Sequence, residues 1–173
     1  MKMYKNIVLI GMPGCGKTTI GKILSSRLEY NFVDLDEYIE QISGKTIDQL
    51  FNKGEGYFRA LEREAVGKLS NGENLVIATG GGVVKNYLNI RDLKEKGVIV
   101  FIDRPVENIA QDVEVAGRPL LKEGVHKLYE LFNERYELYK EYCDYHIVND
   151  KGIEKAIKII IERLTLEGLL ATD

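Results

Sequence analysis

The sequence contains little cysteine and histidine and lacks long hydrophobic runs, and each shortage excludes a class of protein. Its 173 residues include two cysteines and two histidines. Two cysteines are too few for a disulfide framework, and the first residues do not form a charged and then apolar leader, so we expect a cytoplasmic protein. The apolar runs are far shorter than the roughly 20 residues that cross a membrane, so we expect no membrane segment.

An excess of positive charge is also missing. The chain has 24 Lys and Arg against 27 Asp and Glu, which gives a formal net charge of −3. Proteins that bind nucleic acid or anionic membranes nonspecifically use a wide basic field, so we expect neither partner. An anionic ligand must instead meet a local group of arginines. His126 and His146 have no neighbouring pattern typical of metal ligands, and we assign them no role.

The chain does contain enough apolar material for one domain. Hydrophobic residues make up 45% of it, which is sufficient for a core without disulfide or metal staples at this length. No repeat, low-complexity tract or linker interrupts the pattern. We therefore predict that residues 1–173 form a single domain, and we expect a monomer.

The strongest motif is the glycine-rich stretch GMPGCGKTT at residues 11–19. It follows the apolar run 6–10, a predicted buried strand, and it precedes apolar residues at helical spacing. Glycines in such a loop let several backbone N–H groups converge on phosphate oxygens, and the positive N-terminus of the next helix strengthens the anion site. The predicted nucleotide-binding residues are Gly14, Cys15, Gly16, Lys17, Thr18 and Thr19.

Two side chains of this loop have predicted roles of their own. Lys17 is expected to reach the β- and γ-phosphates, and the Thr18 hydroxyl is expected to bind Mg²⁺. The alternative is a glycine-rich turn that holds no ligand.

Four further apolar segments are predicted strands. Strands without polar alternation are covered on both faces, and helical patterns separate these segments along the chain. Together they indicate an α/β fold with a parallel, doubly wound sheet. The four segments are residues 32–34, 75–78, 98–103 and 145–148.

Two regions are predicted to move. Residues 34–70 contain short helical patterns interrupted by glycine, which is typical of a flap. Residues 111–124 have weak periodicity, two glycines and a proline, so we predict mainly a mobile loop that acts as a lid beside the phosphate site.

Acidic residues follow the second predicted strand, at the sheet edge where ligands of parallel α/β proteins bind. Asp34 suits a carboxylate that holds Mg²⁺ through water, and Asp36 suits a group that positions the attacking hydroxyl or accepts its proton. An acidic turn that caps a helix is the alternative for either residue.

The third predicted strand ends in Thr79 and three consecutive glycines, Gly80, Gly81 and Gly82. Such a run indicates close approach of a ligand to the backbone, and an ordinary strand-to-helix turn is the alternative.

Three arginines are candidate ligands for an anion. Arg135 lies on the apolar stripe of a predicted helix, where an unpaired guanidinium is too costly, so it needs a partner. Arg59 could be a solvated helix residue paired with Glu62 three positions on. Arg118, in a glycine-proline loop, is ambiguous from its position alone.

Taken together, these motifs resemble the shikimate kinases in order and spacing over nearly the whole chain. Those kinases combine a Walker-type loop, a D-x-D, an F-R-x-x-E helix, a G-G-G turn, an R-P-L-L lid and an R-x-x-x-Y helix. The corresponding segments here are residues 11–18, 34–36, 58–62, 80–82, 118–121 and 135–139.

The resemblance implies a fold and a reaction. The fold is a three-layer sandwich in which helices flank a five-stranded parallel sheet of order 2-3-1-4-5. The reaction is the phosphorylation of the 3-hydroxyl of shikimate by ATP, with Mg²⁺ as cofactor and Lys17, Asp36 and Arg118 as catalytic residues.

Roles for the other site residues follow from the same resemblance. Asp36 would bind the substrate hydroxyls and could act as the base, while Arg59 and Arg135 would bind the carboxylate. Glu62 would orient Arg59, and the glycines at 80–82 would complete the pocket. Arg118 would contact ATP and stabilise charge on the transferring phosphoryl group as the lid closes.

One position departs from the family pattern. Family members often carry an arginine near adenine, seven residues before the lid arginine, and this chain has Gln111 there. We therefore expect weaker ATP binding than in relatives with that arginine.

Two other functions compete with this interpretation. One is a gluconate, nucleoside-monophosphate or other small-metabolite kinase of the same architecture. The other is a GTP-dependent switch, although the nearest approach to its N-K-x-D motif, residues 52–55, lacks the aspartate.

Overall fold

The computed structural model of the chain describes residues 5–116 and 124–170, and it describes side chains over 5–112 and 124–170. The strands are β1 (Asn6–Ile10), β2 (Asn31–Asp34), β3 (Leu75–Ala78), β4 (Gly97–Asp103) and β5 (Tyr145–Val148). The helices are α1 (Lys17–Leu28), α2 (Leu35–Ser43), α3 (Ile47–Asn52), α4 (Glu55–Leu69), α5 (Tyr87–Lys96), α6 (Val106–Ala116), α7 (Val125–Tyr142) and α8 (Ile153–Leu166), with a 3-10 turn at Val83–Lys85.

The five strands form one parallel sheet in the order β2-β3-β1-β4-β5. This confirms the predicted topology, and each strand lies within one residue of its predicted bounds. Every residue of β1 is buried, as is nearly all of β4, because helices cover both faces of the sheet centre. The carboxyl ends of β1, β2 and β3 therefore meet at one edge.

Close packing of α1 against β2 depends on one glycine. A Cβ on Gly21 would lie 2.6 Å from Cε2 of Phe32, so a larger residue would push the helix away from the strand. The same helix begins with the end of the phosphate loop and the same strand ends at Asp34. Gly21 thus allows the first turn of α1 to approach that carboxylate.

Side-chain caps begin helices α2, α3 and α5. The Thr46 side chain accepts a hydrogen bond from the Gln49 N–H, and the Gln49 side chain accepts one from the Thr46 N–H. This capping box fixes the start of α3. None of the helices within the described residues is both long and apolar enough to span a membrane.

The prediction of a loop beginning at residue 111 is wrong for its first part. Helix α6 continues to Ala116. At its start, the carbonyl oxygen of Pro105 accepts hydrogen bonds from the N–H groups of Asn108 and Ile109. The buried residues that anchor α6, Val106 and Ile109 among them, precede the weakly periodic segment. Residues 117–123, which include Arg118, lie outside the described part of the chain, and the division into flap and lid stays a prediction.

Candidate active site

The loop after β1 curls tightly because its glycines adopt positive φ angles. Gly11, Gly14 and Gly16 have φ values of 147°, 81° and 105°. A Cβ on Gly11 would lie 2.5 Å from the carbonyl oxygen of Ile102 and 2.9 Å from Sγ of Cys15. Only glycine therefore fits between β1, β4 and the loop at this position.

Lys17 lies buried inside the curl. Its Nζ donates to the carbonyl oxygens of Gly11 at 2.8 Å and Met12 at 2.9 Å, and it lies 3.6 Å from Sγ of the buried Cys15. The ammonium is thus fixed at the loop, where a phosphate group would be cradled. Thr19 is exposed in the first turn of α1.

Thr18 and Asp34 form a pair of hard oxygen ligands. Thr18 Oγ1 donates to Asp34 Oδ2 at 2.9 Å, while Asp34 Oδ1 accepts from the N–H groups of Asp36 and Glu37 and caps α2. Asp34 is therefore a helix cap and a partner of Thr18 at once. Two such oxygens fit Mg²⁺, which takes one or two protein ligands and completes its shell with water and phosphate oxygens.

Each glycine of the turn at 80–82 lies against one of the predicted substrate residues. A Cβ on the first would lie 2.9 Å from Oδ1 of Asp36, and a Cβ on the second would lie 3.3 Å from Nη1 of Arg135. A Cβ on the third would overlap the guanidinium of Arg59. The structure thus brings one carboxylate and two arginines, from α2, α4 and α7, around a single turn.

Arg59 is oriented by a buried carboxylate. Its Nη1 donates to both oxygens of Glu62, at 2.9 and 3.0 Å, and Glu62 is only 1% exposed. Burial raises the pKa of Glu62, while the charge of Arg59 opposes that shift. This partly buried pair, with a fully buried carboxylate, differs from the solvated helix pair that the sequence left open.

Arg135 is 7% exposed, and its charge is only partly compensated. Among the described residues its Nε has no hydrogen-bond partner, and it lies 3.8 Å from Oε1 of Glu134. One turn further along α7, the Tyr139 hydroxyl donates to the carbonyl oxygen of Gly81 at 2.6 Å and ties the helix to the glycine turn. A buried guanidinium with an unused donor suits an anionic ligand.

Asp36 has an unusual ionisation for an aspartate. Burial raises its pKa to about 6, assisted by the negative charges of Asp34 and Glu62, while Lys17 and Arg59 act in the opposite direction. The carboxyl group therefore exchanges its proton close to neutral pH, which suits a group that accepts a proton from a hydroxyl.

The sequence analysis missed two side chains that hold the phosphate loop. Arg104 Nη1 donates to the carbonyl oxygen of Gly14 at 3.1 Å and pairs with Asp112, and Asn149 Nδ2 donates to that of Cys15 at 3.0 Å. Both residues directly follow strands, β4 and β5. Their position at the ligand-binding edge is the signal that could have identified them.

Comparison with known proteins agrees with this geometry. The family model described as "Shikimate kinase" matches residues 13–165. The chain belongs to the shikimate kinase family. The family uses ATP as its co-substrate.

Individual relatives cover almost the full chain. A shikimate kinase of Clostridium botulinum (strain Alaska E43 / Type E3) is 49% identical over 158 residues, which are 91% of this chain and 96% of that protein. The structure of shikimate kinase from Acinetobacter baumannii in complex with shikimate has a TM-score of 0.86 and 35% identity, with 98% of this chain and 97% of that chain covered. That of Aquifex aeolicus vf5 has a TM-score of 0.81 and 39% identity, covering 95% and 98%.

Proposed function

We propose that this chain transfers the γ-phosphoryl group of ATP to the 3-hydroxyl of shikimate, giving shikimate 3-phosphate and ADP. The observation that supports this most directly is the group formed by Asp36, Arg59 and Arg135 around the glycine turn, beside the phosphate loop. Shikimate carries several hydroxyls and one carboxylate, which matches one acidic and two guanidinium side chains. The Acinetobacter baumannii relative is in complex with shikimate.

The nucleotide half of the reaction belongs to the loop and α1. The backbone N–H groups of residues 14–19 would bind phosphate oxygens, and Lys17 would exchange its loop carbonyl partners for the β- and γ-phosphates. Thr18 and Asp34 would hold Mg²⁺, which when bound supplies charge neutralisation at the phosphates.

Asp36 would act on the acceptor, the hydroxyl that receives the phosphoryl group. With a pKa of about 6 its carboxyl group is mostly ionised at neutral pH, so it can orient the attacking hydroxyl and receive its proton. A loose phosphoryl-transfer transition state needs little help from a base, so positioning is the larger part of this role.

The two arginines, which lie against neighbouring glycines of the turn, would bind the substrate carboxylate together. Glu62 holds one edge of the Arg59 guanidinium, which fixes its plane for the ligand. Arg135 offers a buried guanidinium whose Nε has no hydrogen-bond partner within the described residues. Charge-assisted hydrogen bonds to a carboxylate would satisfy it.

Other parts of the proposal rest on the sequence. Arg118 would stabilise the transferring phosphoryl group and contact ATP as a lid over residues 111–124 closes and excludes water. Mg²⁺, a monomeric state and a cytoplasmic location belong to the same group of predictions.

A coupled assay of ADP release tests the proposal, with shikimate, gluconate, AMP or no acceptor added to the purified chain. We expect turnover with shikimate alone. ADP release without an acceptor, or faster release with gluconate or AMP, would contradict the proposed function.

The carboxylate assignment has its own test. Arg135→Ala should raise the shikimate KM strongly while the ATP KM stays near that of the wild type, because the arginine faces the acceptor side. Arg91→Ala, which removes an exposed arginine of α5 paired with Asp92, is the control. An unchanged shikimate KM in Arg135→Ala would refute the assignment.

A further inference from the structure

Lys85 ends the 3-10 turn after the three glycines and lies between the two helices that carry the anion-binding arginines. Its Nζ donates to Oε1 of Glu55 at 2.9 Å and lies 3.2 Å from Oε1 of Glu134. Glu55 belongs to α4, as Arg59 does, and Glu134 belongs to α7, next to Arg135. One ammonium group therefore bridges both helices.

Each of these glutamates also approaches an arginine. Oε1 of Glu55 lies 3.4 Å from Nε and from Nη2 of Arg59, and Oε1 of Glu134 lies 3.8 Å from Nε of Arg135. Both distances exceed the roughly 2.7–2.9 Å of a strong charge-assisted hydrogen bond, whereas the bond from Lys85 to Glu55 is close to that range. The glutamates are thus held mainly by Lys85 and only loosely by the arginines.

We propose that Lys85 is a positioning residue for recognition of the substrate carboxylate. By holding Glu55 and Glu134, it keeps them from closing on Arg59 and Arg135, so that both guanidinium groups stay available to an anionic ligand. The inference rests on the proposed function, since it concerns the acceptor side of the same site.

Lys85 also affects binding of the substrate carboxylate through its charge. Three glutamates lie beside the arginines, the third being the buried Glu62, and Asp36 faces the same turn, so four carboxyl groups stand against the two arginines and Lys85. Loss of Lys85 makes the net charge of this group more negative where an anion must bind. Repulsion then weakens binding of the acceptor, which these side chains would contact, more than binding of the nucleotide at the phosphate loop.

A purely structural role is separable from this one. Lys85 and its two partners are between 34% and 50% exposed, and ion pairs at such sites contribute little to folding. We therefore expect Lys85→Met to fold normally, with an unchanged circular dichroism spectrum and melting temperature.

Steady-state kinetics of the full chain test the proposal. Lys85→Met should raise the shikimate KM about tenfold, with kcat within about twofold of the wild type and an unchanged ATP KM. Lys85→Arg should restore the shikimate KM because it keeps the charge and the reach. Lys68→Met is the matched control, since this α4 lysine pairs with Glu64 away from the turn, and it should leave the shikimate KM unchanged.

A double variant tests whether the charge of Glu55, rather than the shape of the Lys85 side chain, causes the loss of shikimate affinity. Adding Glu55→Gln to Lys85→Met removes the negative charge that is no longer held, so it should recover part of the lost shikimate affinity. The proposal is overturned if Lys85→Met leaves the shikimate KM within twofold of the wild type, if it raises the KM values of shikimate and ATP equally, or if the double variant binds shikimate still more weakly. A wild-type chain that does not phosphorylate shikimate would overturn the proposed function, and this inference with it.

Discussion

At the scale of single residues, the glycine turn at 80–82 explains why the site tolerates no added side chain. Its first and third members face Asp36 and Arg59, whose space a Cβ there would enter, and its second lies against Pro13 and Arg135. The groups of Asp36 and Arg59 are side-chain ends that can move aside at small cost to folding, whereas the atoms nearest to a Cβ on Gly81 belong to the Pro13 ring, at 2.9 and 3.1 Å. Substitutions at Gly80 and Gly82 should therefore affect ligand binding more than stability.

Gly82→Ala tests this separation most directly. The methyl group would displace the Arg59 guanidinium from the turn, so we expect kcat/KM for shikimate to fall about tenfold or more, because small misplacements of binding groups are costly. The melting temperature should change little.

Gly67→Ala provides the control for that experiment. Gly67 lies in α4, and a Cβ there has no neighbour within 4 Å, so alanine should stabilise the helix slightly and leave the kinetics unchanged. Equal losses of shikimate kcat/KM in both variants would show that the turn has no special relation to Arg59.

At the scale of elements, most of the fold follows from local sequence signals and part of the site does not. The five strands are mainly apolar runs, and each ends at, or within two residues of, a glycine or an aspartate, so the sequence locates them. Residues 111–116 form helix because α6 is already anchored by Val106 and Ile109, which precede the weakly periodic window. Arg104 and Lys85 function through partners distant in sequence, Gly14 and Glu134 among them, for which no local pattern exists.

Arg104 leads to a prediction about how β4 supports the phosphate loop. Arg104→Met removes the hydrogen bond to the Gly14 carbonyl, so the loop should hold its phosphate-binding shape less well. We expect the KM for MgATP to rise about tenfold, in line with the loss of a hydrogen bond from a charged group.

The shikimate KM should stay within about twofold of the wild type in that variant, because the hydrogen bonds of Arg104 within the described residues go to Gly14 and Asp112. The control is Arg27→Met, which removes an ion pair between α1 and Glu154 of α8. It should leave the KM values for MgATP and shikimate unchanged. If both variants behave alike, Arg104 has only a general structural role.

At the scale of the whole molecule, the edge formed by the carboxyl ends of the strands concentrates buried charge that folding must tolerate. Ionisation of the Asp36 carboxyl group is the clearest example of a charge that lowers the stability of the folded chain. Its pKa rises from 3.8 to about 6 through burial and the charges of Asp34 and Glu62, against Lys17 and Arg59. The folded chain therefore binds this proton more tightly than the unfolded chain, and the resulting stabilisation is lost as pH rises from about 4 through about 6.

Asp36→Asn removes this ionisation and tests its effect on the free energy of unfolding. We expect the variant to lose nearly all turnover and yet gain free energy of unfolding relative to the wild type at pH 8, by up to about 3 kcal/mol, with little gain at pH 4. Urea unfolding at both pH values, in EDTA and without nucleotide, measures this difference in the free energy of unfolding.

Asp150→Asn, at an exposed position after β5, is the control and should show no gain at either pH. A gain of equal size for Asp36→Asn at both pH values would mean that the ionisation of Asp36 does not oppose folding.

The glycine turn also limits how the acceptor specificity of this fold can be altered. Because the turn cannot carry side chains without displacing the residues it faces, the pocket cannot be made narrower from that side. It can only be widened or neutralised, by shortening Arg59 or Arg135 or by removing their charge. Engineering toward larger or uncharged alcohols is therefore open on this scaffold, whereas selection for smaller acceptors must come from α2, α4 or α7.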